Sequence, residues 1–195
     1  MFQVRIHGRG GQGVVTAAEL LAVAAFDQGR HAQAFPSFGS ERTGAPVVSY
    51  CRIDDHEIRT REPIDEPDAV IVQDVTLLHR VDLFGGLAPS GYVLVNSSQP
   101  PDGLGLGELV ARLPAGHLAG CPATELALAH VGRAVPNVPL LGAFCALTGE
   151  VPLDALARAL RHRFADEVAE RNVAAATAAF GLVHDHEEAH RAPTA

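Results

Sequence analysis

The chain has 195 residues, of which 47% are hydrophobic and 19% charged, so it can bury the core of one globular domain. Fifteen basic residues against 23 acidic ones give a net charge of −8, which argues against a protein that binds nucleic acid through charge alone. Every basic residue is arginine, and this excludes lysine-dependent chemistry such as a Schiff base or a P-loop lysine.

The N-terminal residues enter a strand-like segment directly, without a basic stretch followed by an apolar one. The longest uncharged segment, 83–101, is interrupted by glycine and proline and cannot form an apolar membrane helix. We therefore expect a cytoplasmic protein with no membrane partner. Cys51, Cys121 and Cys145 are scattered and form no C-x-x-C pair, which predicts reduced, buried side chains. An iron–sulfur cluster usually needs four organised thiolates, so we expect no metal or cluster on this chain.

The first half of the chain predicts a strand at 2–7, a glycine turn at 8–13 and a helix at 12–28 that Gly29 ends. This helix is apolar on nearly every side, which indicates burial within the domain or beneath a partner. A short strand at 32–35 and a Gly/Ser/Pro-rich loop at 36–46 follow. Residues 46–53 form a β-rich run, and a turn at Asp54–Asp55 predicts a hairpin with residues 57–61.

The second half continues with strands at 69–72, 92–95 and 117–121, and with a loop at 100–107. Helices are predicted at 123–132, 140–148, 153–164 and 166–180. This alternation predicts an α/β fold, a Rossmann-like mixed and mostly parallel sheet with helices on both faces. We expect one domain over residues 1–182 and a flexible His/Glu-rich tail over 183–195, in which H-E-x-x-H at 186–190 reads as a solvated segment.

The glycine turn fits the pattern G-x-G-x-x-G through Gly8, Gly10 and Gly13, between a strand and a helix. Glycines let the backbone approach a ligand closely, and the free N–H groups at a helix start favour a phosphate. A dinucleotide site also needs an acidic residue at the end of the second strand, and none stands there, which disfavours NAD. The alternative is a packing turn without a ligand.

The loop after the second strand places Arg42 on a glycine-hinged segment that faces the same crevice. Its guanidinium could hold a phosphomonoester, such as the 3′-phosphate of coenzyme A or the 2′-phosphate of NADP. The alternative is a surface pair of Glu41 with Arg42. Asn96, after a central strand, either bonds a ligand or is a satisfied turn residue, and Asn137 is expected to cap the helix that follows it.

Two segments carry a resemblance to a known family: residues 8–18, Gly-Arg-Gly-Gly-Gln-Gly-Val-Val-Thr-Ala-Ala, and residues 35–47, Phe-Pro-Ser-Phe-Gly-Ser-Glu-Arg-Thr-Gly-Ala-Pro-Val. Shorter supporting segments lie at 52–54, 67–68, 74–78, 96–97 and from 137 through 141–144. Over residues 4–180 the chain resembles the gamma subunit of pyruvate/2-ketoisovalerate:ferredoxin oxidoreductases. The second segment separates it from the small subunit of indolepyruvate oxidoreductases, which is similar only more loosely there.

The resemblance implies a subunit of a complex that oxidatively decarboxylates a 2-oxoacid, forms an acyl-CoA and reduces ferredoxin. It implies alpha, beta and ferredoxin-like delta partners that hold thiamine diphosphate, Mg²⁺ and the iron–sulfur clusters, and a chain that has no catalytic residue and is inactive alone. Here the chain would help bind coenzyme A through a set of residues carried over from the two segments and from the strand end: Gly8, Gly10, Gly11, Gln12, Gly13, Phe38, Glu41, Arg42 and Asn96. The alternatives are a free-standing NADP-binding reductase module and a subunit of an indolepyruvate oxidoreductase.

Overall fold

The computed structural model describes residues 1–37 and 44–191, the last six by their backbone alone. Its strands are β1 (Phe2–Arg9), β2 (His31–Ser37), β3 (Pro46–Asp54), β4 (Ala69–Val72), β5 (Tyr92–Asn96) and β6 (Leu118–Cys121). Its α-helices are α1 (Val14–Phe26), α2 (Gly107–Arg112), α3 (Ala123–Val131), α4 (Asn137–Thr148), α5 (Leu153–Arg163) and α6 (Asp166–Arg191). Phe38, Glu41 and Arg42 lie outside the described residues.

The strands form one sheet in the order β2-β3-β1-β4-β5-β6. β1, β4, β5 and β6 pair in parallel, whereas β3 pairs antiparallel with both β1 and β2. Among the described strands β3 alone runs against the others, which confirms the predicted mixed and mostly parallel sheet. The chain leaves β1 toward one edge of the sheet and later returns beside it as β4, so the order reverses between β1 and β4. Ligands of such sheets bind at this point, beyond the carboxyl ends of the strands.

The predicted hairpin after Asp54 is wrong. Residues 57–61 form no strand, and β3 instead pairs with β2 on one side and β1 on the other. Because both edges of β3 are already hydrogen-bonded, a returning strand at 57–61 has no edge to join. The antiparallel partner is the segment before β3, not the one after it.

The sheet buries two apolar cores, one on each face. On the first face α1, α3, α4, α5 and α6 cover Val4, Ile6 and Ile71, among others. On the second face α2 and the loops before it cover Val70, Val72 and Val93, among others. This arrangement confirms helices on both faces. Within the domain α1 is buried only in part, because Val23 and Phe26 are 43% and 69% exposed on its outer side. Burial of that side beneath a partner stays a prediction.

Two departures from the predicted helices are larger than the others. α2 lies in a segment for which no helix was predicted, where Gly103, Gly105 and Gly107 weaken the helical pattern. α6 runs to Arg191, well beyond its predicted end near residue 180. Its inner side packs closely against α4, because a Cβ at Gly142 would lie only 2.0 Å from the carbonyl oxygen of Ala176.

The second face of β1 buries two polar side chains, Arg5 and His7. The Arg5 guanidinium donates to the carbonyl oxygens of Ile64, Leu83 and Gly85 at 3.3, 2.9 and 2.7 Å. These bonds tie two loops to the sheet. Burial, together with the nearby Arg5 charge, lowers the pKa of His7 to about 3, so its imidazole is neutral at physiological pH.

Candidate functional site: the glycine turn and the two clefts beside it

The glycine turn joins β1 to α1 at the carboxyl edge of the sheet. Gly11 and Gly13 have φ of +96° and +72°, a region in which L-residues other than glycine are strained. Gly13 is the N-cap of α1, and no side chain caps the helix there. The N–H groups of the first turn of α1 have no intrahelical partner and carry the positive end of the helix dipole. They are available to an anion.

Gly8 and Gly10 serve the packing of the turn. A Cβ at Gly8 would lie 2.6 Å from Val14 Cγ2 and 3.1 Å from the Cβ of Gln73, so only glycine fits between β1 and α1. The N–H of Gly10 donates to the carbonyl of Ala45 at 2.9 Å, which ties the turn to the start of β3. A Cβ at Gly11, by contrast, would meet no atom within 4 Å. Gly11 is the part of the turn with open space in front of it.

Gln12 is held by bonds within the protein. Its Oε1 accepts from the backbone N–H of Arg9 at 2.8 Å, and its Nε2 donates to Asp74 Oδ2 at 2.9 Å. The same carboxylate oxygen accepts from Arg9 Nε at 3.1 Å, and Asp74 Oδ1 accepts from the backbone N–H and the hydroxyl of Thr76 at 3.0 and 2.5 Å. Burial raises the pKa of Asp74, but the bonds from Thr76, Gln12 and Arg9 outweigh this and the net pKa is lowered. Asp74 therefore stays ionised and anchors the turn.

One cleft opens next to the reversal point of the sheet, beyond the carboxyl ends of β4 and β5. This switch-point cleft measures about 400 Å³ and is lined by Gln12, Gln73, Asp74, Val75, Asn96, Ser97, Ser98, Gln99, Leu104, Thr124 and Glu125. Asn96 Nδ2 donates to the Gln73 carbonyl at 2.9 Å and to Thr124 Oγ1 at 2.8 Å, and Asn96 Oδ1 accepts from the Thr124 N–H at 3.2 Å. The Asn96 amide thus joins β5 to β4 and α3 at the wall of this cleft.

A second cleft opens on the other side of the turn and measures about 230 Å³. This arginine cleft is lined by Gly11, Gly13, Thr16, Val131, Arg133, Val135, Asn137, Arg163, Phe164, Val168 and Asn172. In the part of the chain that the structure describes, neither the Arg133 nor the Arg163 guanidinium has a carboxylate within ion-pairing distance. The Arg163 guanidinium lies 5.8 Å from the ring centroid of Phe164. The cleft therefore combines two unpaired cations with the N-terminus of α1.

Asn137 connects the turn to α4. It is the first residue of that helix rather than its N-cap, which is Pro136, so the expected capping position is off by one residue. Its Nδ2 donates to the carbonyl of Gly13 at 3.3 Å, and its Oδ1 accepts from the N–H of Val138 at 2.9 Å. The sequence carries no motif around Arg133, Arg163 or Gln73, so these cleft residues were not predicted.

The described residues contain no group of three or more His, Cys, Asp or Glu side chains that could hold a metal ion. Cys51, Cys121 and Cys145 are buried and unpaired, as expected, and burial raises the pKa of each thiol to about 12. Within the described range no helix has the length and hydrophobicity that a membrane crossing requires.

The sheet order, the glycine turn at its reversal point and the polar clefts beside that turn define an α/β domain of the Rossmann-like class. The comparisons with known proteins narrow this class to one family. The chain belongs to the pyruvate ferredoxin/flavodoxin oxidoreductase family, whose model matches residues 3–182, and within that family it is a gamma subunit.

Several known proteins are similar to it. The pyruvate/ketoisovalerate oxidoreductases common subunit gamma of Thermococcus kodakarensis is 44% identical over 182 residues, which cover 92% of this chain and 96% of that one. The solved structure of pyruvate oxidoreductase subunit PORC from Thermotoga maritima has a TM-score of 0.78 and 35% identity, and covers 92% of this chain and 95% of that one. The 2-oxoglutarate:ferredoxin oxidoreductase of Magnetococcus marinus, solved with 2-oxoglutarate, coenzyme A and succinyl-CoA bound, shares the fold at 17% identity and a TM-score of 0.73, over 95% of this chain and 31% of that one.

These findings confirm the predicted family and function, a gamma subunit of a pyruvate or 2-oxoacid:ferredoxin oxidoreductase. They favour this function over a free-standing NADP-binding module.

Proposed function

We propose that this gamma subunit contributes a binding site for the phosphates of coenzyme A to its oxidoreductase complex. The observation that carries the proposal is the arginine cleft, where Arg133 and Arg163 stand beside the open side of Gly11 and the unpaired N–H groups of α1. Phosphate groups combine well with guanidinium forks and with a helix N-terminus. The chain as a whole carries −8, so the attraction must be local to this cleft.

The predicted coenzyme A-binding residues have different roles in this proposal. Gly11 and Gly13 face the proposed phosphate site, while Gly8, Gly10 and Gln12 support the shape of the turn. Phe38, Glu41 and Arg42 remain predicted ligands from the resemblance alone, since they lie outside the described residues, and Asn96 remains one for the other cleft.

The rest of the complex is proposed from the resemblance. Alpha, beta and ferredoxin-like delta subunits would hold thiamine diphosphate, Mg²⁺ and the iron–sulfur clusters, and the assembled enzyme would act in the cytoplasm. The gamma chain would supply binding and orientation of coenzyme A, with no catalytic residue of its own. Purified alone, it should show no viologen reduction with pyruvate, whereas the reconstituted complex should.

The test of the phosphate site is steady-state kinetics of the complex carrying Arg133→Ala or Arg163→Ala in this chain. Each variant should raise the KM for coenzyme A roughly tenfold, about the effect of losing one charge-assisted hydrogen bond, with kcat at saturation little changed. Arg59→Ala is a matched control, because this arginine is 85% exposed and belongs to the segment after β3, whose end pairs with the start of β1 rather than with the glycine turn. An unchanged KM in both cleft variants would contradict the proposal.

A further inference from the structure

The outer side of β2 is an open edge of the sheet. β2 is the end strand, and among the described residues no segment pairs with its outer side. It has seven residues, and between His31 at its start and Ser37 at its end none is charged. Proteins usually protect an edge strand by keeping it short or by placing charged side chains on it. The opposite edge strand, β6, has only four residues, whereas β2 is long enough and neutral enough to pair with another chain.

Helix α1 lies above this open edge and presents an apolar stripe beside it. The helix packs on β2 and β3 with its inner side and against α5 with one flank, where Asp27 pairs with Arg158. Val15, Ala22 and Phe26 follow one another at helical spacing on the side away from α5. Phe26 is 69% exposed, more than any other large apolar side chain in the described ranges. We call the outer edge of β2 and this stripe together the β2 edge surface.

The layers of the β2 edge surface indicate what covers it. The covering chain must offer an unpaired strand at the level of the sheet and an apolar helix flank in the layer above. A second copy of this chain offers both when a two-fold axis runs perpendicular to the sheet. Such an axis reverses the direction of the strand and keeps α1 on the same face, so β2 pairs antiparallel with β2 and α1 meets α1.

The antiparallel register that pairs the whole strand places the two-fold axis at Ala34. His31 then lies opposite Ser37 of the second copy, and Ala32 opposite Pro36, so no two charged side chains meet. With seven residues in β2 and 13 in α1, the contact is about 20 Å long in both layers. A contact of this extent falls near the lower limit of specific interfaces, about 1,200 Å² in total, for which we expect a micromolar dissociation constant.

We propose that two copies of this chain associate through the β2 edge surface and join their six-stranded sheets into one continuous sheet. In the oxidoreductase complex this contact links two gamma subunits. It leaves the switch-point cleft free, because that cleft lies at β4 and β5. The net charge of −8 on each copy opposes association, so the dimer should become tighter as the salt concentration rises.

The first experiment is sedimentation equilibrium of the full chain from about 1 to 200 μM, where a micromolar dimer is populated. The wild-type chain should reach twice its mass of 20.5 kDa. Phe26→Glu brings like charges into the contact and should raise the dissociation constant at least about tenfold. Leu128→Glu is the matched control, because Leu128 is 57% exposed on α3, and it should change the constant by less than about twofold. A wild-type chain that stays monomeric throughout would overturn the proposal.

The second experiment tests the register by cross-linking with oxidised glutathione. In Ala34→Cys the two new residues face each other with Cα atoms about 4.5–5.5 Å apart, which a disulfide spans. In the control His31→Cys they lie about six residues apart along the strands, roughly 20 Å, which no disulfide spans. The native cysteines are buried and do not compete. Only Ala34→Cys should cross-link, and no cross-link there, or equal cross-linking of both variants, would overturn this pairing.

The third experiment asks whether another subunit occupies the surface. Phe26→Glu should copurify with the partner subunits as the wild-type chain does, and its unfolding temperature should change little, because Phe26 is exposed. Loss of the partner subunits in this variant, with unchanged self-association of the isolated chain, would assign the surface to one of them and would overturn the proposal.

Discussion

Replacing Asp74 by asparagine tests whether one carboxylate holds the glycine turn in place. Asp74 Oδ2 accepts from Gln12 Nε2 at 2.9 Å and from Arg9 Nε at 3.1 Å, and Oδ1 accepts from Thr76. Asparagine keeps an oxygen toward Thr76 but turns an NH₂ group toward two donors. Two charge-assisted hydrogen bonds are lost, each worth about 1.5–3 kcal/mol when well buried. Because Arg9 and Asp74 keep some contact with solvent, at 22% and 14% exposure, we expect a total near the lower end, about 3 kcal/mol.

The assay is thermal and urea unfolding of the full chain at pH 7. For a chain of this size, about 3 kcal/mol corresponds to a fall of roughly 6–12 °C in the unfolding temperature. Asp154→Asn is the matched control, because Asp154 pairs with Arg158 at the surface and is 70% exposed, so this variant should unfold close to the wild-type temperature. A fall below about 2 °C in Asp74→Asn would refute the reasoning that this carboxylate anchors the turn.

The pH dependence of the unfolding free energy gives an independent check on the role of Asp74. The folded-state pKa of Asp74 lies below its ordinary value of 3.8, so the ionised form is the one that stabilises the fold. Its contribution is fully present above that value and is lost as the pH falls through the folded pKa. The difference in stability between wild type and Asp74→Asn should therefore be constant above about pH 5 and shrink in stronger acid.

Two further predictions follow from backbone geometry and burial. Gly13→Ala should destabilise the chain by about 2–3 kcal/mol, because φ is +72° there and the added Cβ would lie 2.4 Å from Asn137 Nδ2. Gly11→Ala should cost only about 1 kcal/mol, because its backbone is strained but its Cβ would meet no atom within 4 Å. Urea midpoints in the reverse order would contradict this. Because the pKa of His7 is lowered to about 3 from 6.5, its neutral form stabilises the fold above pH 6.5, and up to about 1.4 kcal/mol per pH unit should be lost as the pH falls below that value. Urea unfolding of His7→Leu should lack this component, and an unchanged pH profile would exclude His7 as its source.

The parts of the fold that were predicted correctly depend on local pattern. β1 begins with alternating apolar and polar residues, whereas β4 and β5 are short apolar runs of strand length. The glycine turn is set by backbone geometry that only glycine adopts easily. The pairing of β3 was predicted wrongly because a hydrogen-bonding partner is chosen across the sheet, and the sequence of β3 fits a neighbour on either side. The end of α6 was predicted too early, because the last turns of this helix lack the apolar pattern by which a helix is recognised in a sequence.

The site was predictable only where the residues are close in sequence. Gly11 and Gly13 belong to the motif that indicated the turn, and Asn96 follows a strand whose end was expected at the ligand edge. Arg133 comes from the loop before α4, and Arg163 from the last turn of α5. Only the packing of these helices against α1 brings the two arginines to the turn. Gln73 was not predicted because it lines a cleft only through the pairing of β4 with β5.

The close backbone contact between α4 and α6 holds these two helices together as one rigid unit. Because no side chain separates Gly142 from the backbone of Ala176, the two helices lack the deformable side-chain packing that would let one slide over the other. At the N-terminus of α4 the Asn137 side chain donates to the carbonyl of Gly13. The long C-terminal helix and the bend that precedes α1 are therefore joined through α4 by direct contacts, so a displacement of that helix would be carried toward the bend.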